Sequence, residues 1–168
     1  MTHRNSPPPT EPVVDSVASV LGRIPSGVYV LTVRSGDQET GMLASWVMQA
    51  GFEPPMISVA VRKGRYVADW LRAGLPFVLN LVPEGQAKTL QHFGRGFAPG
   101  EPAFEGIAVV RTPRGLAVLE EALGHLECEP GGCIDSADHH IFLARVTGGR
   151  LAREDRPMVH VRKNGLKY

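Results

Sequence analysis

The apolar residues of this chain come in strand-length bursts that glycine and proline keep cutting short. Val28–Val33, Met56–Val61 and Pro76–Val82 are runs rich in β-branched and aromatic residues, each bounded by Gly, Pro, Asp or Asn. With 19 Gly and 14 Pro in 168 residues, turns recur too often for long helices to dominate. The segment from Ala122 alternates, with Ala122, Gly124, Leu126 and Cys128 set against Leu123, His125, Glu127 and Glu129. Such a period of two marks a strand with one buried and one wetter face. Further strands are expected at Ile107–Arg111, Ala122–Glu129, His140–Val146 and Pro157–Lys163. Ser35-Gly36-Asp37 reads as a hairpin turn into a second strand that starts near Glu39, carries the uncharged stretch Thr40–Phe52 and stops at Glu53-Pro54-Pro55.

Helical spacing is found in only a few places. Asp15 is expected to cap a short helix with Val17, Val20 and Leu21 on one side, ended by Pro25 and Gly27. A second helix follows Arg65, with Val67, Trp70 and Leu71 opposite Arg65, Asp69 and Arg72. A third is expected over Glu84–Phe93, followed by a long surface loop through 94–105. About seven short strands with two or three inserted helices predict a mainly β, antiparallel barrel. Residues 1–12 are polar and Pro-rich and are expected to form a disordered arm, leaving 13–168 as one domain.

Charge excludes several classes of function. Lys and Arg total 18 against 17 Asp and Glu, so no net field draws nucleic acid or an anionic membrane. The uncharged stretch Thr40–Phe52 falls well short of the ~20 residues a spanning helix needs. Met1–Ser6 runs into Pro7-Pro8-Pro9 without the apolar segment of a signal peptide, so cytoplasmic residence is expected. Two cysteines, Cys128 and Cys133, are too few for a disulfide scaffold or a four-cysteine zinc site, and no metal site is expected.

Three features could carry chemistry. Arg62-Lys63-Gly64-Arg65-Tyr66 lies between a strand and a helix start, where unpaired N–H groups and three cations suit a phosphate. The same charges would equally suit a solvated basic turn. The uncharged segment Ala44-Ser45-Trp46-Val47-Met48-Gln49-Ala50 offers small polar groups and an aromatic face to a flat heterocycle, or is simply a barrel strand. Ala137-Asp138-His139-His140 opens a strand, so its two histidines point to opposite faces and cannot share one ligand. No carboxylate pair or Ser/His/Asp arrangement supports hydrolysis.

In this order, and together with Gly41-Met42-Leu43-Ala44-Ser45, Phe52-Glu53-Pro54-Pro55, Phe77-Val78-Leu79-Asn80-Leu81, His92-Phe93, Arg95–Gly100 and Leu126-Glu127-Cys128, these features resemble the flavin reductase-like family of FMN-binding split barrels. Within it the chain is most similar to the flavin reductase domain at the C-terminus of cyanobacterial flavodiiron proteins, from about residue 16 to the basic tail ending in Tyr168. The resemblance implies a six-stranded Greek-key barrel with peripheral helices, a homodimer, and one FMN or FAD per subunit. It implies an NAD(P)H:flavin oxidoreductase that feeds a flavin-dependent oxygenase or another electron acceptor. Carried over by position, Ala44, Ser45, Trp46 and Val47 line the flavin ring, with Gln49 and Ala50 nearby. Val61, Arg62, Lys63, Gly64, Arg65 and Tyr66 hold the ribityl phosphate, His92, Phe93 and Arg95 close over the flavin, and His139 meets the nicotinamide. The chain departs from its relatives at Trp46, Met48 and Ala137, where they carry small or hydroxyl residues at the first two positions and glycine at the third. An FMN-binding electron carrier, or a flavin-binding protein without efficient NAD(P)H turnover, is the alternative reading.

Overall fold

The computed structural model describes residues 13–167; the expected N-terminal arm and the terminal Tyr168 lie outside them. Along the chain the elements are α1 (Val13–Gly22), β1 (Ser26–Gly27), β2 (Tyr29–Ser35), β3 (Gln38–Ala44), β4 (Val47–Phe52) and β5 (Pro55–Arg62). They continue with α2 (Tyr66–Arg72), β6 (Phe77–Leu81), α3 (Ala87–Gly94), β7 (Val109–Arg111), β8 (Ala117–Leu119), β9 (Gly124–Ser136), β10 (His139–Leu151) and β11 (Val159–His160). No helix among the described residues is long and apolar enough to cross a membrane.

The chain divides into two compact units. In the smaller one, residues 13–25 and 160–167, the C-terminal segment lies along α1: Arg162 N–H donates to the Gly22 carbonyl and Gly165 N–H to that of Ala18. Gly165 and Gly22 permit that approach, since a Cβ on Gly165 would stand 2.2 Å from Leu21 Cβ. Here the sequence expectation needs correction. The helix starts at Val13, so Asp15 stands in its first turn rather than at the cap. Ala18 is buried in place of Val17, Val20 and Leu21.

The larger unit, Ser26–Val159, holds an antiparallel seven-stranded sheet in the order β3-β2-β6-β9-β10-β5-β4, one strand more than the six the resemblance implies. The expected single strand after Ser35-Gly36-Asp37 is in fact two. It breaks at Ser45-Trp46, leaving β3 and β4 at opposite edges of the sheet order. The linker is tied to the far edge by Ala60 N–H donating to the Trp46 carbonyl at 3.0 Å. A chain that passes from one edge to the other in two residues requires a sheet coiled on itself.

The period of two sorts the side chains as expected. Leu31 and Val33 of β2, Ile57, Val59 and Val61 of β5, Phe77 and Leu79 of β6, and Phe142 and Ala144 of β10 fill one core with Val67, Ala68 and Leu71 of α2. The opposite face of β2 and β6 is not wet. Val30 packs under Phe93 of α3 and Leu119 of β8, while Val78 meets Leu116 and Val118. The β7–β8 hairpin that covers this face was not legible beyond its first strand, because the three residues Ala117–Leu119 are too short to show a period. Asn80, fully buried on the same face, fastens the cover: its Nδ2 donates to the Val30 carbonyl (3.1 Å), and its Oδ1 accepts from Leu119 N–H (2.9 Å).

Of the two free thiols, Cys128 is buried in the barrel core and Cys133 is exposed on β9. Burial, with a smaller contribution from the Glu127 charge, pushes the Cys128 thiol up to about 12 from the ordinary 9.0. A thiol reagent should therefore modify one cysteine in the folded protein and both after denaturation. Between about pH 9 and 12 the unfolded chain ionises Cys128 while the folded one does not, so stability falls as pH rises through that window. Denaturant midpoints of the parent and Cys128→Val should converge across it.

Candidate functional site

The site residues expected from sequence fall into two neighbouring groups. The first surrounds a cleft of about 170 Å³ lined by Thr40, Gly41 and Met42 of β3, Gly64-Arg65-Tyr66-Val67, and Gly96-Phe97. Tyr66 Oη donates to Thr40 Oγ1 at 2.8 Å, holding the start of α2 against β3. Gly41 leaves room for Phe93, whose ring would stand 2.4 Å from a Cβ there. Gly64 has φ +81° with no atom within 4 Å of a would-be Cβ, so the turn before α2 is both left-handed and open. No side chain caps α2 at Arg65.

The three cations do not share one pocket. Arg65 lines the cleft, its Nη1 3.6 Å from where a Cβ on Gly96 would sit. Lys63 and Arg62 do not line it; their charges help lower the carboxyls of Asp135 and Asp138, after the hydrogen bonds those carboxyls make to His140 and His139. The turn 62–65 is tied to the β9–β10 hairpin by Lys63 N–H donating to the Asp138 carbonyl at 2.9 Å.

The second group is built on that hairpin. His139 pairs in register with Arg62, and its ring lies 4.7 Å from Trp46 at a tilt of 41°. Its Nδ1 donates to Asp138 Oδ1 at 2.8 Å, which fixes the tautomer, and the same bond holds the Asp138 carboxyl below its ordinary range. His140 points to the other face, as the strand period requires. It is near Phe142 of the core, with Nδ1 2.6 Å from Asp135 Oδ1 and Arg72 Nη2 2.9 Å from Nε2. Both histidines are buried.

Ala137, at the tip of this hairpin, has φ +39°, a left-handed conformation that favours glycine. Ala137→Gly should stabilise the protein by about 1 kcal/mol, the relief of that strain less glycine's added freedom when unfolded. The measurement is a urea midpoint, which should rise without a change in slope.

Other expected residues stand apart from the cleft lining. Ala44 and Val61 are in the barrel core, and Ser45 and Val47 flank Trp46 at the strand break. Gln49 and Ala50 lie exposed on β4. Phe93 is buried in the second core, His92 Nε2 lies 2.8 Å from the Ala103 carbonyl, and Arg95 pairs with Glu101 at 2.9 Å while covering the Phe97 ring. These three brace the loop carrying Gly96 and Phe97. Thr40, Gly41, Gly96 and Phe97 received no role from sequence, although all but Thr40 lie in stretches that carry the resemblance.

Residues 21–165 match the flavin reductase like domain, and the chain belongs to that family. It is 41% identical over 150 residues to diflavin flavoprotein A 1 of Synechocystis, a match covering 88% of this chain and 26% of that protein. The chain thus spans about a quarter of the length of that relative. Among solved structures it is similar to the NADH:FAD oxidoreductase SgcE6 of Streptomyces globisporus, with TM-score 0.79, 28% identity and 85% of each chain covered. That enzyme is also known in complex with NAD and FAD fragments. BorF, the flavin reductase component of a bacterial two-component tryptophan halogenase, matches at TM-score 0.74 and 26% identity, over 87% of this chain and 92% of its own.

Proposed function

We propose that this protein is an NAD(P)H-dependent flavin reductase that binds FMN or FAD and passes reducing equivalents to a flavin-dependent oxygenase or another acceptor. The observation that carries this reading is the placement of Arg65 in an open cleft beside the hairpin that presents His139, in a chain of the flavin reductase family. The cleft residues suit a phosphorylated ribityl chain: Gly64 supplies an unobstructed backbone, Arg65 the charge, and the Tyr66–Thr40 bond a fixed wall. The chemistry that flavin supplies when bound is acceptance of a hydride from a reduced nicotinamide. Asp138 orients the His139 ring, and His139 in turn orients the nicotinamide and steadies charge as it develops. Trp46 supplies an aromatic surface next to both.

The protein works as a homodimer in this reading. Edge strand β4 exposes Phe52 (88%) and Met48 (71%), apolar area that a second subunit would cover. The two unpaired thiols suit the reducing cytoplasm.

Anaerobic addition of NADH or NADPH to the flavin-loaded protein should bleach the flavin absorption. His139→Ala should slow bleaching about tenfold, the equivalent of one orienting contact of about 1.4 kcal/mol, with flavin affinity unchanged. Bleaching of the variant at the parental rate would remove His139 from the mechanism. One observation favours a second reading, a flavin-binding electron carrier: the Trp46 ring already lies against His139. If neither nicotinamide bleaches the parent but Trp46→Ser does bleach, the carrier reading stands.

A further inference from the structure

Cys133, Asp135 and His140 project from one face of the β9–β10 hairpin. Asp135 and His140 are direct cross-strand partners, Cys133 is two residues along β9 on the same side, and Cys133 pairs in register with Phe142. One ligand atom from each of the three lies within 4.8 Å of the other two. Zinc bonds of about 2.0–2.3 Å place tetrahedral ligands roughly 3.3–3.8 Å apart, so the three atoms have only a short distance left to close. We propose that this triad is a binding site for a borderline-soft divalent cation of the zinc type, with the fourth position open.

The donor set selects the ion. One thiolate, one imidazole nitrogen and one carboxylate suit zinc or cobalt, whereas magnesium and calcium want oxygen throughout. Asp135 and His140 already meet, with His140 Nδ1 2.6 Å from Asp135 Oδ1. Two cations face the site, Lys63 from the turn after β5 and Arg72 from α2, the latter 4.0 Å from Asp135. Both oppose a dication. A ligating Cys133 thiolate and Asp135 carboxylate together balance the ion's two charges, and Arg72 has to turn outward. His140, packed beside Phe142, is the rigid member, while Cys133 and Asp135 are exposed and adjustable. The spacing was invisible in sequence because the ligands come from two strands whose register only the fold sets. A bound ion would pin the end of the hairpin that carries the strained Ala137 and the Asp138–His139 pair.

The test uses the full chain, reduced and treated with chelator, titrated with Co2+ alone and separately with Zn2+ alone. The expected result is one equivalent of Co2+ bound with thiolate-to-cobalt charge-transfer absorption in the near ultraviolet. Zn2+ should slow alkylation of Cys133 at least tenfold. Buried Cys128 does not compete for either signal. Cys133→Ser, a change at an exposed position, should abolish the charge-transfer band and weaken Co2+ binding at least tenfold. Asp135→Asn, also exposed, should weaken binding while keeping the band. Co2+ binding without the band, binding undiminished in Cys133→Ser, or unprotected Cys133 at saturating Zn2+ would each overturn the proposal. All these readouts are independent of flavin and nicotinamide.

Discussion

Asn80→Leu is expected to cost about 3 kcal/mol of folding stability, the largest loss expected from a residue with no place at the cleft. Leucine keeps the branched four-atom skeleton but is larger, so some overpacking at this fully buried position adds to the polar loss. Asn80 is wholly buried and joins β2 to β8, through the Val30 carbonyl and the Leu119 N–H. Leucine leaves that N–H without its acceptor in a region that water does not reach, at about 1–3 kcal/mol, and removes a donor from Val30 as well. A drop of about 3 kcal/mol is roughly a hundredfold in the folding equilibrium, well resolved by urea denaturation. A loss below about 1 kcal/mol would show that the β7–β8 hairpin adjusts and re-pairs Leu119 elsewhere.

Arg65→Ala should weaken FMN binding tenfold or more, since one charge-assisted hydrogen bond to phosphate contributes about 1.5–3 kcal/mol. Riboflavin, which lacks the phosphate, should lose far less. Lys63→Ala should have the smaller effect on FMN, because Lys63 does not line the cleft. Fluorescence titration of both flavins against both variants separates the cases. Equal losses for FMN and riboflavin in Arg65→Ala would move the phosphate out of this cleft. A larger loss in Lys63→Ala would mean that Lys63 turns into the cleft when the ligand arrives. Sequence alone ranks Arg62, Lys63 and Arg65 together; the structure separates them, because of the three only Arg65 lines the cleft.

Alternation and punctuation were enough to determine the strands of the barrel core. The Met56–Val61 run becomes β5, with Ile57, Val59 and Val61 facing inward, and the Pro76–Val82 signal becomes β6, because a period of two is a local property of the backbone. The same period correctly sent His139 and His140 to opposite faces, and the departure from the relatives' glycine at position 137 falls where the structure has a left-handed backbone. What sequence alone could not determine depended on which residues the fold brings together. The uncharged stretch looked like one strand because hydropathy does not record a change of neighbour at Ser45-Trp46; the coiled sheet alone makes β3 and β4 opposite edges. His92, Phe93 and Arg95 matched a stretch expected to close over flavin, yet their bonds to Ala103, the second core and Glu101 make them braces of the loop at the cleft. The Cys133–Asp135–His140 cluster is local in sequence, but it exists only through the register of the β9–β10 hairpin, which places Asp135 opposite His140.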